Sequence, residues 1–183
     1  MKQLFQKINM LKVLSFFFDN PYSLEYLREI ARKTKTNPAT SMRYLQYWEK
    51  QNLITRIKKK NSTYYKANIN PFFKHLKISY SMEKIIDSGL IDKIKDSSSA
   101  LLSVVLYGSV AKGIDTKDSD IDIIIISKHS DITSLDASTL LKRETNLKKY
   151  SVLEWKKCRK DNKAFYFEVI STGINLYGDK LVI

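Results

Sequence analysis

The sequence predicts an α+β protein with two modules, and three observations lead to this prediction. Apolar residues make up 43% of the 183 residues, which is enough for a packed core, and this length allows one or two domains. The charge is uneven, because residues 1–70 carry a net +10 whereas residues 96–183 carry a net +1. Apolar residues recur at helical spacing in the first part, and buried-strand runs occur in the second. We therefore expect one domain over residues 1–70, connecting helices over 71–95 and a second domain over 96–183.

The composition indicates one kind of partner and excludes several classes of protein. The net charge of +13 indicates an anionic partner. Cys158 is the single cysteine, so an internal disulfide and a multi-cysteine zinc site are excluded. No apolar stretch approaches the roughly 20 residues of a membrane span, and Lys7 and Lys12 interrupt the apolar start. We expect a cytoplasmic protein that makes no membrane contact.

Three helices are expected in the basic module. The first ends near Pro21, the second begins at Ser23 as N-cap, and the third is capped by Asn37 with Pro38 in its first position. Each of two helices is expected to have apolar residues along one face. In the first helix these are Leu4, Ile8, Leu11 and Leu14, and in the third they are Met42, Leu45 and Trp48, which should face the core.

A hairpin is expected after these helices. Residues 53–57 and 63–67 alternate, and the basic tip between them contains Lys58, Lys59 and Lys60. Three helices followed by a two-stranded hairpin make a winged helix, whose third helix can enter the major groove. The stretches LREIARKTKTNPATSMRYLQYWEKQNLI and KKKNSTYYKAN resemble the winged-helix domains of prokaryotic transcription regulators.

The resemblance implies that the basic module binds double-stranded DNA. Base contacts are expected from the exposed N-terminal face of the third helix, and phosphate or minor-groove contacts from the three lysines of the tip. The alternative is a winged helix that binds protein and whose lysines are only solvated. The expected DNA-facing residues of the third helix are Ala39, Thr40, Ser41, Arg43 and Tyr44. The connecting helices permit a homodimer contact.

The second module contains a strand, a turn and a second strand with two acids. The strand over residues 101–107 ends at Gly108-Ser109, where a glycine lets the backbone approach a phosphate. The strand DIDIIIIS follows, and because alternate strand residues share a face, Asp120 and Asp122 point the same way. Two carboxylates that face a phosphate-binding turn favour a site for Mg²⁺ or Mn²⁺.

The stretch GSVAKGIDTKDSDID resembles the motif of the DNA-polymerase-beta-like nucleotidyltransferases, in particular the small prokaryotic members. The resemblance implies a mixed sheet with flanking helices that binds a nucleoside triphosphate. It assigns phosphate binding to Gly108 and Ser109 and catalytic metal binding to Asp120 and Asp122. Further nucleotide-binding positions that match the motif are Lys112, Gly113 and Ser119.

The third acid of the family is the point of departure. After a helix around residues 133–143, the strand ETNLKKYSVLEW places Asn146 at the aligned position, and Asn carries no charge and cannot act as a base. Glu144, on the same strand face, is an alternative, whereas Glu154 is expected to begin the next helix. Lys148, on the face of Asn146, would repel a metal or attract a phosphate. The tail is expected to form a helix that ends at Gly173 and a short strand, with these core residues: Trp155, Phe165, Phe167, Val169 and Leu176.

Three functions remain open. The first is a DNA-binding regulator whose second domain binds nucleoside triphosphate and Mg²⁺ and transfers a nucleotide to a protein or nucleic-acid acceptor. The second is a transcription factor whose decayed enzyme domain is a ligand sensor or dimer scaffold. The third, by analogy with the family, is a nucleotidylating antitoxin with a toxin partner.

Overall fold

The computed structural model describes residues 4–98, 100–128, 135–179 and 182. The chain divides into two compact units, Met1–Glu83 and Lys84–Ile183. Among the helices of these described ranges, none combines the length and apolar character that crossing a membrane requires.

The first unit contains four helices, a very short strand and a hairpin, and a fifth helix starts in it. In chain order the elements are α1 (Leu4–Lys7), α2 (Asn9–Asp19), β1 (Glu25–Tyr26), α3 (Leu27–Thr34), α4 (Pro38–Lys50), β2 (Ile54–Lys59), β3 (Ser62–Ala67) and α5 (Pro71–Asp87). The strands form an antiparallel sheet of order β1-β3-β2. Its core is rich in phenylalanine and contains Val13, Leu14, Phe17, Phe18, Ile30, Leu45, Leu53, Ile54 and Phe73.

The start of α3 differs from the prediction. Glu25 and Tyr26 pair with β3 instead of joining the helix, so α3 begins at Leu27 and Ser23 is not its cap. This pairing joins residues about 40 positions apart, and the helical spacing of the local sequence contains no sign of it. The predicted first helix is likewise interrupted at Ile8, which separates α1 from α2.

Helix α4 begins as predicted, with Pro38 in its first turn and the Asn37 side chain accepting a hydrogen bond from a backbone amide of that turn. Leu45 and Trp48 are buried, but the prediction that Met42 faces the core is wrong, because Met42 is 42% exposed.

The hairpin turn is tighter than predicted. Lys59 pairs with Ser62, so the turn consists of Lys60 and Asn61, and Lys60 takes a left-handed conformation with φ of 49°. Lys58 and Lys59 therefore belong to strand β2.

The second unit is a mixed four-stranded sheet with helices on both faces. Its elements are α6 (Leu90–Asp96), β4 (Leu101–Tyr107), α7 (Gly108–Ala111), β5 (Ile121–Ser127), α8 (Ala137–Leu141), β6 (Thr145–Ser151), α9 (Val152–Asp161), α10 (Lys163–Thr172) and β7 (Ile174–Gly178). The order is β6-β5-β4-β7, with β5 and β6 parallel and the other pairs antiparallel. Strand β4 has the predicted bounds. Of the helix expected around residues 133–143, Thr133 and Ser134 lie outside the described residues.

Each face of this sheet packs against its own helices. Val104, Leu106, Ile123 and Ile125 lie in one cluster with residues of α6, α7 and α8. Val105, Tyr107, Ile124 and Ile126 lie in the other with residues of α9 and α10, among them Trp155, Tyr166 and Val169. The prediction that Phe167 belongs to the core is wrong, because it is 58% exposed.

Candidate functional site

Two carboxylates converge at the start of strand β5. Asp120 immediately precedes the strand and Asp122 is its second residue, directly opposite Asn146 in the parallel register with β6. The Nδ2 atom of Asn146 donates hydrogen bonds to Asp120 Oδ2 at 3.2 Å and to Asp122 Oδ1 at 3.1 Å. An atom at the position of this nitrogen is therefore within hydrogen-bonding distance of both carboxylates.

This arrangement fits a divalent cation of the Mg²⁺ type. Carboxylate and amide oxygens are the ligands that such hard cations take, and the Asn146 amide nitrogen lies at the point on which both carboxylates focus. A rotation of that amide would present its oxygen as a third ligand. Within the described ranges, no three His, Cys, Asp or Glu side chains form a group that could hold a metal, so a cation here would meet these two carboxylates and no third.

Gly108 brings the turn after β4 against Asp122. Its φ is +73°, and a Cβ at this position would lie 2.5 Å from Asp122 Oδ2. A side chain here would therefore be strained by the backbone and would also collide with the carboxylate. Because Ser109 follows within α7, the predicted phosphate-binding pair and the predicted metal ligand are adjacent.

The segment before Asp120 is held by Arg143, which sequence analysis did not single out. Its guanidinium donates to the buried Asp115 carboxylate at 3.0 Å, to the Thr116 carbonyl at 2.9 Å and to the Ser119 carbonyl. The Ser119 hydroxyl accepts a hydrogen bond from the Thr116 amide at 2.9 Å, so this predicted nucleotide-binding residue makes a contact within its own loop. Arg143 thus fixes the approach to Asp120 from a position just before β6.

The three residues considered for the position of the family's third acid, Glu144, Asn146 and Glu154, differ in what they contact. Glu144 is exposed, and its carbonyl accepts a hydrogen bond from Ile121 at 2.9 Å. Glu154 forms a capping box with Ser151 at the start of α9, as its expected position at a helix start implies. Asn146 is the one that touches both carboxylates.

The remaining predicted positions, Lys112 and Gly113, follow α7. The Lys112 ammonium forms an ion pair with Glu168 of α10, 56 residues away, so its charge is compensated. Gly113 is buried with φ of +65°, which fits the predicted end of the turn.

Tyr107 and Cys158 lie on the side of the sheet covered by α9 and α10. Burial raises the pKa of the Tyr107 hydroxyl to about 12, and the negative charge of Asp122 contributes. Burial also raises the pKa of the Cys158 thiol, which is the reverse of what a reactive cysteine requires.

The predicted DNA-facing side of α4 is only partly exposed. Arg43 is exposed, and Thr40 and Tyr44 are half-buried. The prediction that Ser41 is exposed is wrong, because it is fully buried and its hydroxyl bonds to that of Thr36. Ser41 therefore contributes to the packing of the helices and has no access to a base edge.

The lysines of the hairpin are all accessible. Lys58, Lys59 and Lys60, called the wing lysines below, are exposed at the end of β2 and in the turn. Lys59 Nζ lies 5.9 Å from the centroid of the Tyr64 ring, which leaves its charge at the surface.

Residues 90–180 match the family described as "Polymerase beta, Nucleotidyltransferase". This match covers the four-stranded sheet, both acids and Asn146, so the similarity to nucleotidyltransferases includes the candidate site. No curated protein matches the chain.

Among solved structures, the chain is similar to one described as a toxin–antitoxin with AMP-PNP, at 20% identity and a TM-score of 0.39, over 51% of this chain and 74% of that one. It is also similar to two mutant structures of the toxin–antitoxin MntA–HpeT. These have 21% and 18% identity and TM-scores of 0.37 and 0.38, over 51% of this chain and 73% and 74% of theirs.

Proposed function

We propose that this protein is a DNA-binding regulator whose C-terminal nucleotidyltransferase domain binds a nucleoside triphosphate together with Mg²⁺ or Mn²⁺. The observation that carries the nucleotide half is the convergence of Asp120 and Asp122 on the Asn146 amide, beside the turn at Gly108. Two carboxylates that point to one position can bind a divalent cation. A phosphate held at the neighbouring glycine turn could contact the same cation.

Each residue of this site has a separate role in the proposed binding of nucleotide and cation. Asp120 and Asp122 hold the cation, and the backbone after Gly108 receives the phosphates. A bound divalent ion would supply charge neutralisation to the triphosphate. Arg143 keeps the loop before Asp120 in place, so that the two acids are fixed before a ligand arrives.

Asn146 favours binding over transfer. An amide cannot take a proton from an acceptor hydroxyl, and general-base help is typically worth about 10²–10⁴-fold in rate. We therefore propose nucleotide binding with slow transfer, which suits a domain that senses a nucleotide or forms a dimer scaffold.

The DNA half of the proposal rests on charge and exposure. The net +10 of residues 1–70, exposed Arg43 and the wing lysines support a winged helix that contacts phosphates with its hairpin. The homodimer contact, the cytoplasmic location and the boundaries at residues 70 and 95 stay predictions.

Thermal unfolding with ATP tests the nucleotide proposal. ATP should stabilise the protein when Mg²⁺ is present and not in chelator, by about 2.7 kcal/mol at a hundredfold excess over Kd. The double variant Asp120→Asn/Asp122→Asn should lose this increment. A matched control is Asp92→Asn/Asp96→Asn, which removes the same charge from exposed positions of α6 and should retain it. Equal stabilisation in chelator and in Mg²⁺ would show that the acids hold no metal.

The nucleotidylating antitoxin is the second candidate, and it derives from the family resemblance. It requires transfer to a protein, so incubation with ATP labelled on its α-phosphate and with candidate acceptors separates it from the sensor. Labelled protein in the parent, absent from the Asp120→Asn/Asp122→Asn variant, would favour the antitoxin.

A further inference from the structure

Lys148 lies on the same face of the sheet as the two acids. It follows Asn146 by two positions on β6 and pairs with Ile124, as Asn146 pairs with Asp122. Paired residues and alternate residues share a face, so the Lys148 side chain leaves the sheet beside the carboxylates. Tyr107 joins this face because it pairs with Asp122 across β4 and β5.

Two aromatic rings hold the Lys148 ammonium. Its Nζ atom lies 4.5 Å from the centroid of Phe165 and 5.9 Å from that of Tyr107, and the two rings meet edge to face at 5.4 Å. Ring faces attract a cation without neutralising it. Lys148 is exposed, and in the described ranges no carboxylate forms an ion pair with it, so its charge stays available.

Lys112 differs in this respect. The motif resemblance makes Lys112 the nucleotide-contacting cation, but Glu168 already compensates its charge. A triphosphate carries more negative charge than one divalent ion removes, and the two acids add further negative charge. The site therefore needs a cation that is held in place and not already paired.

On the basis of the proposed function, we infer that Lys148 binds the triphosphate, and that Phe165 and Tyr107 hold its ammonium in position. The ligand class is a nucleoside polyphosphate, recognised through a phosphate oxygen by a charge-assisted hydrogen bond. In this interpretation Lys112 has a structural role, because its ion pair with Glu168 links the end of α7 to α10.

The test measures the binding of ATP and of adenosine by calorimetry in Mg²⁺. Four proteins are compared: the parent, Lys148→Gln, Lys148→Arg and Lys156→Gln. Lys148→Gln should weaken ATP binding by about tenfold or more, as expected for a bond to a charged group, and should leave adenosine unchanged. Lys148→Arg should retain most of the ATP affinity because it keeps the charge. Lys156→Gln, which removes an exposed lysine from α9, is the matched control and should bind ATP like the parent.

The outcomes separate this inference from the proposed function. No ATP binding by the parent in Mg²⁺ would contradict the proposed function, and with it the role of Lys148. ATP binding that Lys148→Gln leaves intact would contradict the role of Lys148 alone. Equal losses for ATP and adenosine would also contradict it, because they would indicate a structural role in place of a phosphate contact.

Discussion

The two units differ in their charge balance and in where a charged pair is buried. In the first unit Arg43 and the wing lysines are exposed, and residues 1–70 carry a net +10. In the second unit the charges nearly balance, at a net +1 over residues 96–183, and Arg143 forms an ion pair with the buried Asp115. An exposed basic surface attracts any polyanion without exact geometry. A site of paired groups acts only when each partner is in place, so the two units should respond differently to the loss of one charge.

The largest effect is expected from breaking the ion pair between Arg143 and the buried Asp115. Arg143→Met leaves the Asp115 carboxylate, whose side chain is 3% exposed, without the guanidinium that compensates it. The free energy of unfolding should fall by about 3–5 kcal/mol, measured by denaturant titration.

The matched control is the same substitution in an exposed pair of the first unit. Arg32 bonds to Glu29 at 2.8 Å with its side chain 70% exposed, so Arg32→Met should leave the stability unchanged within error. Similar losses for the two variants would mean that the two units do not differ in the way described.

A smaller effect is expected at the wing. Replacing Lys58, Lys59 and Lys60 by alanine should lower the salt dependence of duplex DNA binding by about 2.7 in log–log slope if each contacts one phosphate. Fluorescence anisotropy of a labelled duplex at several salt concentrations measures this slope.

The control for the wing removes the same charge from the second unit. Lys156, Lys157 and Lys160 are exposed on α9, and their replacement by alanine should leave the slope unchanged. If both triple variants lower the slope equally, DNA is attracted by the whole chain and the wing has no special part.

Local signals in the sequence predicted the fold best where they were unambiguous. The apolar run of β4 and the Asn37-Pro38 start of α4 lie where the sequence placed them, because strand burial and helix capping depend on adjacent residues. Pairing across long separations was missed: Glu25 and Tyr26 form β1 because β3 lies beside them. Ser41 is buried because the helices pack around it, which helical spacing alone does not reveal.

The geometry of the candidate site was predicted in part for the same reason. The spacing of Asp120 and Asp122 is local, and both carboxylates accept a hydrogen bond from the Asn146 amide, as expected for residues that share a strand face. The Lys112 contact with Glu168 spans 56 residues and the Arg143 contact with Asp115 spans 28, so no spacing rule could find them. Burial of Asp115, an acid in a polar loop, is a property of the folded chain alone.

The central claim is that Asn146 lies where a third ligand would complete the metal site, and the affinity for Mn²⁺ in the presence of ATP tests it most directly. Asn146→Asp should bind Mn²⁺ more tightly than the parent by about tenfold or more, since even outer-shell partners of a metal are worth about 10–100-fold in affinity. Glu144→Gln should leave the affinity of the parent unchanged. If Asn146→Asp adds nothing while Glu144→Gln weakens Mn²⁺ binding, the third ligand is Glu144 and the account of Asn146 is wrong.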